Sequence, residues 1–205
     1  MVLSQEQLAQ ISQQMQGLNP EEQQEKMQEI FSQLPPEDVE DLQKQQCPFC
    51  LIKEGKIQSK VVYDDETILG VLDINPASKG HIILFPKQHY QFIYQMSDHD
   101  MAHMLKVAAK MSKIIIECMD AAGSNILLGN GKIAGQNVPH AFVHVIPRYN
   151  NDGINLQWAP KKIADAEMAD TAEKIKAHGI IFEQQGHQIE DVTEEIEYEE
   201  SERLP

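Results

Sequence analysis

The stretch "NVPHAFVHVIPRY", residues 137–149, decides the fold of this chain of 205 residues. In an extended strand successive side chains point to opposite faces, so His140, Phe142 and His144 share one face. The opposite face is wholly apolar and consists of Ala141, Val143 and Val145. The stretch therefore predicts a strand with one face in a core and one face that presents two imidazoles around a phenyl ring.

The segments around this strand predict a mixed α+β domain. Three β-branched runs bounded by turn residues precede it, and such runs are typical of antiparallel strands: KVVYDD, TILGVLDI and HIILFP. A long helix follows, opened by Ser97 and Asp98 and carrying apolar residues at helical spacing until Gly123. The run SNILLG then supplies another strand. The order is strands first, one major helix, and two further strands.

Length and composition indicate one main domain with appendages. A hydrophobic content of 41% over 205 residues is enough for one sizeable core. The chain has no apolar run of about 18 residues, and its first residues lack a basic region followed by an apolar stretch. We therefore expect a soluble, cytoplasmic protein that does not interact with membranes.

The net charge of −15 is concentrated at the two ends of the chain. Residues 1–46 carry 9 acidic and 2 basic side chains, and residues 189–205 carry 8 and 1. The middle therefore has 15 acidic and 14 basic side chains. A nearly neutral centre allows a local site for a small anion but offers no basic stripe for a nucleic acid. We expect no nucleic-acid partner.

These shifts in composition predict four segments. They are a helical, glutamine-rich N-terminal extension (1–46), a main domain (47–160), a C-terminal helical segment (161–188) and an acidic tail (189–205). The tail is nearly free of large apolar residues, which predicts disorder.

The N-terminal extension is expected to form short helices. Asn19 and Pro20 are typical of a helix start, and Pro35 with Pro36 predicts its end, with only a short helical turn around Leu42. We expect the apolar stripes of these helices to pack against each other or against the main domain. The alternative is that residues 1–46 bind a partner protein.

Two segments together carry a specific resemblance. LDINPASKGHIILFPKQHY (72–90) and NGKIAGQNVPHAFVHVIPRY (130–149) resemble the histidine triad (HIT) family, nucleotide hydrolases and transferases with the signature His-φ-His-φ-His-φ-φ, where φ is apolar. The match spans roughly residues 47–160. It implies a five-stranded antiparallel sheet packed with helices, usually joined to a second copy in a homodimer. In most relatives the middle histidine attacks the α-phosphate of a nucleotide, and here that position is Phe142.

A phenyl ring has no lone pair to offer to phosphorus, so the covalent route is closed at position 142. His144 lies two residues farther along the strand, about 6.6 Å away, whereas attack requires about 3–3.5 Å. The resemblance gives His144 a hydrogen-bonding role toward phosphate, and the alternative is an ordinary strand histidine. Relatives often have asparagine where this chain has Gly129. We expect His81 to stabilise the pocket wall.

Other parts of a nucleotide pocket are implied by the resemblance. Asp73 occupies the position from which relatives bind the ribose hydroxyls, although a turn residue would look the same. Asn137 stands where relatives often place a serine or threonine that contacts phosphate. Gly131, Gly135 and Gln136 are expected to expose backbone N–H groups to an anion.

A metal site is the second predicted constellation. Cys47 and Cys50 have the spacing of a zinc knuckle, which supplies two of four tetrahedral ligands. In zinc-bearing relatives two histidines complete the site, and the corresponding residues here are His89 and His140. The alternative, a thioredoxin-type redox pair, lacks the βαβ context that it needs. We therefore predict a structural zinc ion.

Two functions remain open from the sequence. The first is a protein that binds a purine nucleotide, such as AMP or a dinucleoside polyphosphate, with little or no covalent nucleotidyl transfer. The alternative is a nucleotide hydrolase or transferase that acts on the α-phosphate of a phosphoramidate or a dinucleoside polyphosphate. In that case water attacks directly while His144 stabilises the developing charge.

Overall fold

The computed structural model of the chain describes residues 10–11 and 13–179. The described residues fall into two compact units, one that ends at Pro160 and one that begins at Lys161. The first unit contains α1 (Pro20–Gln33), α2 (Pro36–Gln46), α3 (Pro48–Lys53), β1 (Val61–Asp64), β2 (Ile68–Leu72), β3 (Ile82–Pro86), α4 (Asp98–Met119), β4 (Gly123–Leu127) and β5 (Val143–Arg148). It also has 3₁₀ turns at Ile93–Gln95 and Lys132–Ala134, and the second unit contains α5 (Asp165–His178).

The five strands form one antiparallel sheet in the order β1-β2-β3-β5-β4. This confirms the predicted α+β architecture. The strand predicted from the opening stretch is β5, and it lies between β3 and β4. His144 is paired with Ile83 on one side and with Leu127 on the other, so it projects from the interior of the sheet.

The central strands are buried on both faces of the sheet, and the stretch 141–145 contributes to both cores. Ala141, Val143 and Val145 belong to the core beneath α4. Phe142 belongs to the core on the other face, together with Phe49 of α3. The predicted alternation is confirmed, although the strand itself begins only at Val143.

Helix α4 begins where the sequence predicts. The hydroxyl of Ser97 accepts a hydrogen bond from the N–H of Asp100 at 3.1 Å, a regular N-cap. The helix ends at Met119, because Asp120 adopts the left-handed conformation (φ 52°) that turns the chain into β4.

The N-terminal extension is helical in its described part. Asn19 and Glu22 cap α1 reciprocally, with each side chain accepting from the other residue's backbone N–H at 3.0 and 2.9 Å. The apolar stripes pack against each other, in a cluster of Ile11, Ile30, Phe31, Leu34 and Leu42.

Two helices differ from the expectations. The Pro35-Pro36 pair ends α1, but Pro36 also begins α2, a helix of 11 residues rather than a short turn. Proline at the first helical position loses no hydrogen bond and has a suitable φ, so it starts a helix as readily as it stops one. Helix α3, which follows Cys47 and contains Cys50 of the predicted knuckle, begins at Pro48 for the same reason.

Residues 1–9 and the acidic tail 189–205 lie outside the described residues. Within the described part, no helix combines the length and the apolar character needed to cross a membrane.

Candidate functional site

The four predicted metal ligands meet in one buried cluster. Cys47, Cys50, His89 and His140 are all buried, and their ligand atoms lie within 4.8 Å of one another. The sulfur of Cys47 is 3.2 Å from His140 Nδ1, and that of Cys50 is 3.3 Å from His89 Nδ1. Two sulfurs and two imidazole nitrogens are a donor set typical of tetrahedral zinc.

The two cysteine sulfurs are electrostatically coupled. The hydrogen bond from Cys50 lowers the pKa of the Cys47 thiol, and the same interaction raises the pKa of Cys50. Cys47 and Cys50 would hold a divalent cation as thiolates, so that metal binding would release their protons.

Both histidines of the cluster turn Nδ1 toward the sulfurs, but they differ in the surroundings of Nε2. His140 donates from Nε2 to the carbonyl of Pro86 at 2.9 Å, which leaves Nδ1 with its lone pair toward the sulfurs. His89 also turns Nδ1 toward the sulfurs. Its Nε2 is buried and has no hydrogen-bond partner among the described residues. Both rings thus present the nitrogen that a metal requires.

A cleft of about 460 Å³ lies beside the cluster on the same face of the sheet. Most of its lining is apolar, including Phe49, Ile52, Val71, Ile83, Val138 and Phe142. Its polar lining includes Asp73, His81, Asn137 and His144. Among the described residues that line it, Asp73 is the only one of the Asp, Glu, Lys and Arg types.

A chain of hydrogen bonds fixes the proton of His144. The backbone N–H of Ala77 donates to His81 Nδ1 at 3.1 Å, so His81 carries its own proton on Nε2. That nitrogen lies 2.9 Å from His144 Nδ1 and donates to it. His144 therefore keeps its proton on Nε2, and the nitrogen left for a ligand is a donor without a lone pair.

His81 and His144 are both neutral near pH 7. Burial lowers the pKa of His81 and of His144, and the negative charge of Asp73 opposes the shift only in part. Asp73 Oδ2 lies 3.4 Å from His81 Nδ1. This is not an ion pair, because the ring is neutral and Nδ1 is already an acceptor.

Asp73 is a turn residue that also borders the cleft. Its Oδ1 accepts from the backbone N–H of Asn75 at 2.8 Å, which is the bond of a turn residue. Its carboxylate also borders the cleft. The contact with a ribose stays a prediction.

Phe142 stands beside His144 in the cleft. It is 6% exposed, and its ring meets Phe49 edge-on at 5.3 Å and His144 edge-on at 4.8 Å. No ring nitrogen is present at the position of the family's nucleophile.

The expected N–H donors of the glycine loop, residues 131–136, are used within the loop and are not free for an anion. Gly131, Gly135 and Gln136 border a second cavity, of about 560 Å³. Their N–H groups donate within the loop, to Gln136 Oε1, Lys132 O and Gly131 O, respectively. Contacts of these N–H groups with a nucleotide stay a prediction, and they require the loop to exchange bonds. Asn137 is exposed and borders both cavities.

The structure also gives a reason for Gly129. A Cβ atom at this position would collide with the carbonyl oxygen of Ala134. The asparagine that relatives often carry therefore does not fit this loop conformation. Neither this contact nor the hydrogen-bond chain through His81 was predicted, because both depend on backbone groups that a sequence pattern does not locate.

Comparison with known proteins adds independent information. The HIT domain family model matches residues 54–151. An uncharacterized HIT-like protein of Methanocaldococcus jannaschii is 40% identical over 121 residues, 59% of this chain and 93% of that protein. An adenosine 5'-monophosphoramidase of Schizosaccharomyces pombe is 33% identical over 64% of this chain and 96% of its own length. A solved zinc-bound histidine triad family protein of Mycobacterium smegmatis superimposes with a TM-score of 0.52 at 31% identity, covering 65% of this chain and 99% of that one.

Proposed function

This chain belongs to the histidine triad family, and we propose that it binds a purine nucleotide and stabilises its fold with a structural zinc ion, with little or no covalent nucleotidyl transfer. The observation that carries the proposal is the pair Phe142 and His144. The first has no nitrogen, and the second presents only an N–H group to a ligand.

A change of role for His144 would disturb the cleft wall. To attack phosphorus, its ring would have to expose a lone pair, and this requires the proton to leave Nε2. Nδ1 already accepts from His81, which is in turn held by the N–H of Ala77. A nucleophilic His144 would therefore lose one hydrogen bond of this buried wall, either the one between the two rings or the one from Ala77, at about 1 kcal/mol.

The same arrangement suits a bound phosphate. A neutral imidazole N–H donates well to an anionic oxygen. In the proposed mode the base occupies the apolar part of the cleft, the ribose hydroxyls reach Asp73, and the phosphate meets His144 and Asn137. The relative in S. pombe is named for a substrate of AMP type, which supports this choice of ligand.

The structural zinc is supported by the donor set and by the zinc-bound relative. Cys47, Cys50, His89 and His140 would hold it. They come from the start of α3, the segment after β3 and the entry to β5, so the ion would join three parts of the chain. Its role is to stabilise the fold, and the cleft residues carry out binding.

We further propose three properties of the protein in the cell. They are a homodimer joined through an edge of the sheet, a cytoplasmic location, and a partner protein for residues 1–46. β4 is an edge strand in the described sheet and presents Ile126, which is 41% exposed. An edge of this kind offers unpaired backbone groups to a second copy.

The competing function is hydrolysis by direct attack of water. It is favoured by the phosphoramidase among the relatives. In that mechanism His144 and nearby donors would stabilise charge on the phosphate while water attacks. It needs no covalent intermediate.

Calorimetric titration with AMP and incubation with adenosine phosphoramidate test the proposal. We expect AMP to bind, and His144→Ala to weaken it by about tenfold or more because a hydrogen bond to a charged group is lost. His99→Ala is the matched control, since His99 lies on α4, 74% exposed and outside the cleft.

Mass spectrometry during the incubation separates the two functions. We expect no nucleotidylated protein and turnover about 10⁶-fold below that of an ordinary nucleophilic enzyme. A covalent adduct would contradict the proposal. Rapid turnover abolished by His144→Ala would favour hydrolysis by water.

A further inference from the structure

We propose that Gln136 is a positioning residue for the metal site, because its side chain ties together the two chain segments that carry His89 and His140. This inference rests on the structural zinc of the proposed function and deepens it. It gives the amide side chain of Gln136 a role toward the metal ligands.

The sheet alone does not fix the two histidines relative to each other. The pairing of β3 with β5 ends at Leu84 and Val143. His89 and His140 both lie beyond this end, at positions that are neither helix nor strand. Contacts other than the strand pairing must therefore hold these two ligands in place.

The chain after β3 leaves the path of the strand on its way to His89. Continued pairing would place Pro86 opposite Ala141, but the N–H of Ala141 donates to the carbonyl of Tyr90 at 2.6 Å instead. Residues 86–90 thus form an excursion, which brings His89 Nδ1 to 3.3 Å from the sulfur of Cys50. Such an excursion keeps its shape only if both of its ends are attached to the neighbouring segment, residues 136–141.

The side chain of Gln136 attaches the far end of this excursion. Its amide nitrogen donates to the carbonyl of Gln91 at 2.6 Å and to the carbonyl of His140 at 3.1 Å. The near end is attached by His140, through its bond to the carbonyl of Pro86. One amide group therefore joins the backbone of one metal ligand to the backbone two residues after the other.

The chemistry of this position requires an amide. Gln136 is 8% exposed, and its amide oxygen accepts from the N–H of Gly131 at 2.7 Å. The side chain thus acts as donor and as acceptor, whereas a carboxylate has no proton to donate. Because an unpaired buried polar group is costly, these bonds favour one arrangement of the two segments and of the glycine loop.

Competition with a zinc chelator tests this role in the full-length protein. We expect Gln136→Glu to weaken zinc binding by about tenfold or more, because it keeps the shape of the side chain but turns a carboxylate toward two carbonyl oxygens. Gln136→Met, which makes no such hydrogen bonds, should have an effect of the same sign. Gln157→Glu is the matched control, because Gln157 is exposed and outside the metal cluster.

Substitution by cobalt(II) separates positioning from a general loss of stability. The absorption of the bound ion depends on the arrangement of its ligands. We expect both Gln136 variants to change the spectrum of the fully loaded protein, and Gln157→Glu to leave it unchanged. Thermal unfolding identifies any variant that has lost its fold.

Hydrogen exchange in the wild-type protein gives a measurement that needs no variant. We expect removal of the metal to accelerate exchange of the Gly131 and Ala141 N–H groups by about tenfold or more relative to that in the centre of α4. If neither variant folds, equal acceleration at these residues and in α4 overturns the inference.

Unchanged zinc affinity in both folded variants overturns the role of Gln136 and leaves the structural zinc intact. If the wild-type protein binds no zinc, the structural zinc of the proposed function fails, and this inference fails with it.

Discussion

At position 142 a phenyl ring lies beside His144 in the wall of a mostly apolar cleft that also has several polar groups. Asp73, Asn137 and His144 remain around it, and the hydrogen-bond chain through His81 remains intact. Under the proposed function, such a site binds a nucleotide without forming a covalent bond to it. A single substitution tests this property directly.

Phe142→His is expected to raise the hydrolysis of adenosine phosphoramidate by about 10²-fold or more, since it restores a nucleophilic nitrogen beside His144. Single-turnover kinetics and trapping of the nucleotidylated protein measure the gain. Activity should stay below that of ordinary relatives, because Gly129 still lacks the amide side chain and its loop has no space for one.

Phe142→Leu is the control for this experiment, since it removes the ring without adding a nitrogen. An equal gain in the leucine variant would show that the size of the side chain, rather than its chemistry, limits turnover.

For single residues, the sequence predicts the missing nucleophile at position 142 better than it predicts the protonation of His144. The loss of the nucleophile follows from the identity of Phe142 in the motif. The donor role of His144 does not, because its proton is set by the N–H of Ala77 acting through His81. Residues 77 and 144 are distant in sequence, and no spacing rule joins them.

Among the elements, the turn between β1 and β2 is tied to α4 by Asp65. One carboxylate oxygen accepts from the Tyr63 hydroxyl at 2.5 Å and lies 2.6 Å from Nε2 of His103 on α4. The other accepts from the N–H groups of Thr67 and Ile68 at 2.8 and 2.7 Å. Burial raises the pKa of Asp65, but these hydrogen bonds outweigh it and hold the pKa well below its usual range.

A carboxyl with a lowered pKa stabilises the folded state above its unfolded pKa of about 3.9, and this contribution is lost as the pH falls toward the folded pKa. We therefore expect Asp65→Asn to lower the free energy of unfolding at pH 7 by about 2 kcal/mol. The variant should also show a smaller loss of stability between about pH 4 and pH 2 than the wild type.

Urea unfolding at pH 7 and pH 3 measures both effects. Asp64→Asn is the control, since the neighbouring Asp64 is 59% exposed and pairs with Lys87 at the surface. If Asp65→Asn and Asp64→Asn have equal free energies of unfolding at pH 7, the hydrogen bonds of Asp65 do not stabilise the fold.

The elements that the sequence misjudged share a physical cause. Helices α2 and α3 both start at a proline, and proline is compatible with a helix start as well as with a helix end. Helix α3 has only 6 residues, too few for a periodic pattern. The strands were predictable because they are short apolar runs, mostly rich in β-branched residues, beside turn residues, and α4 was predictable because its apolar residues recur at helical spacing over 22 residues.

For the whole molecule, the proposed zinc would join segments that are far apart in sequence. The cluster connects Cys47 and Cys50 with His89 and His140. Strands β1 to β4 lie between the first and the last of these residues in the sequence. Its four residues were predictable because a family motif fixes them, whereas the sequence alone suggested only the two cysteines. The charge distribution indicated the neutral centre, but not that Asp73 and Lys132 border separate cavities.

Cys47→Ser is expected to lose the metal and to lower the free energy of unfolding by at least about 3 kcal/mol, a part of the 10–16 kcal/mol or so that zinc supplies to zinc-finger peptides. Elemental analysis and thermal unfolding, with and without a chelator, measure the effect. Cys118→Ser is the control, because Cys118 is exposed on α4 and remote from the cluster. Retention of one zinc per chain by Cys47→Ser, with unchanged unfolding, would contradict the site.

The contact between Phe142 and Phe49 bears on the history of this protein. Phe49 lies between the two cysteines and stacks on Phe85 at 4.5 Å, so the ring at position 142 has become part of the packing that positions the sulfurs. A descendant that regained histidine there would gain a ring nitrogen beside His144 but lose the phenyl ring that packs on Phe49 next to the proposed metal site. Such coupling makes the exchange hard to reverse by one mutation, and lineages that have lost the nucleophile in this way would tend to remain without it.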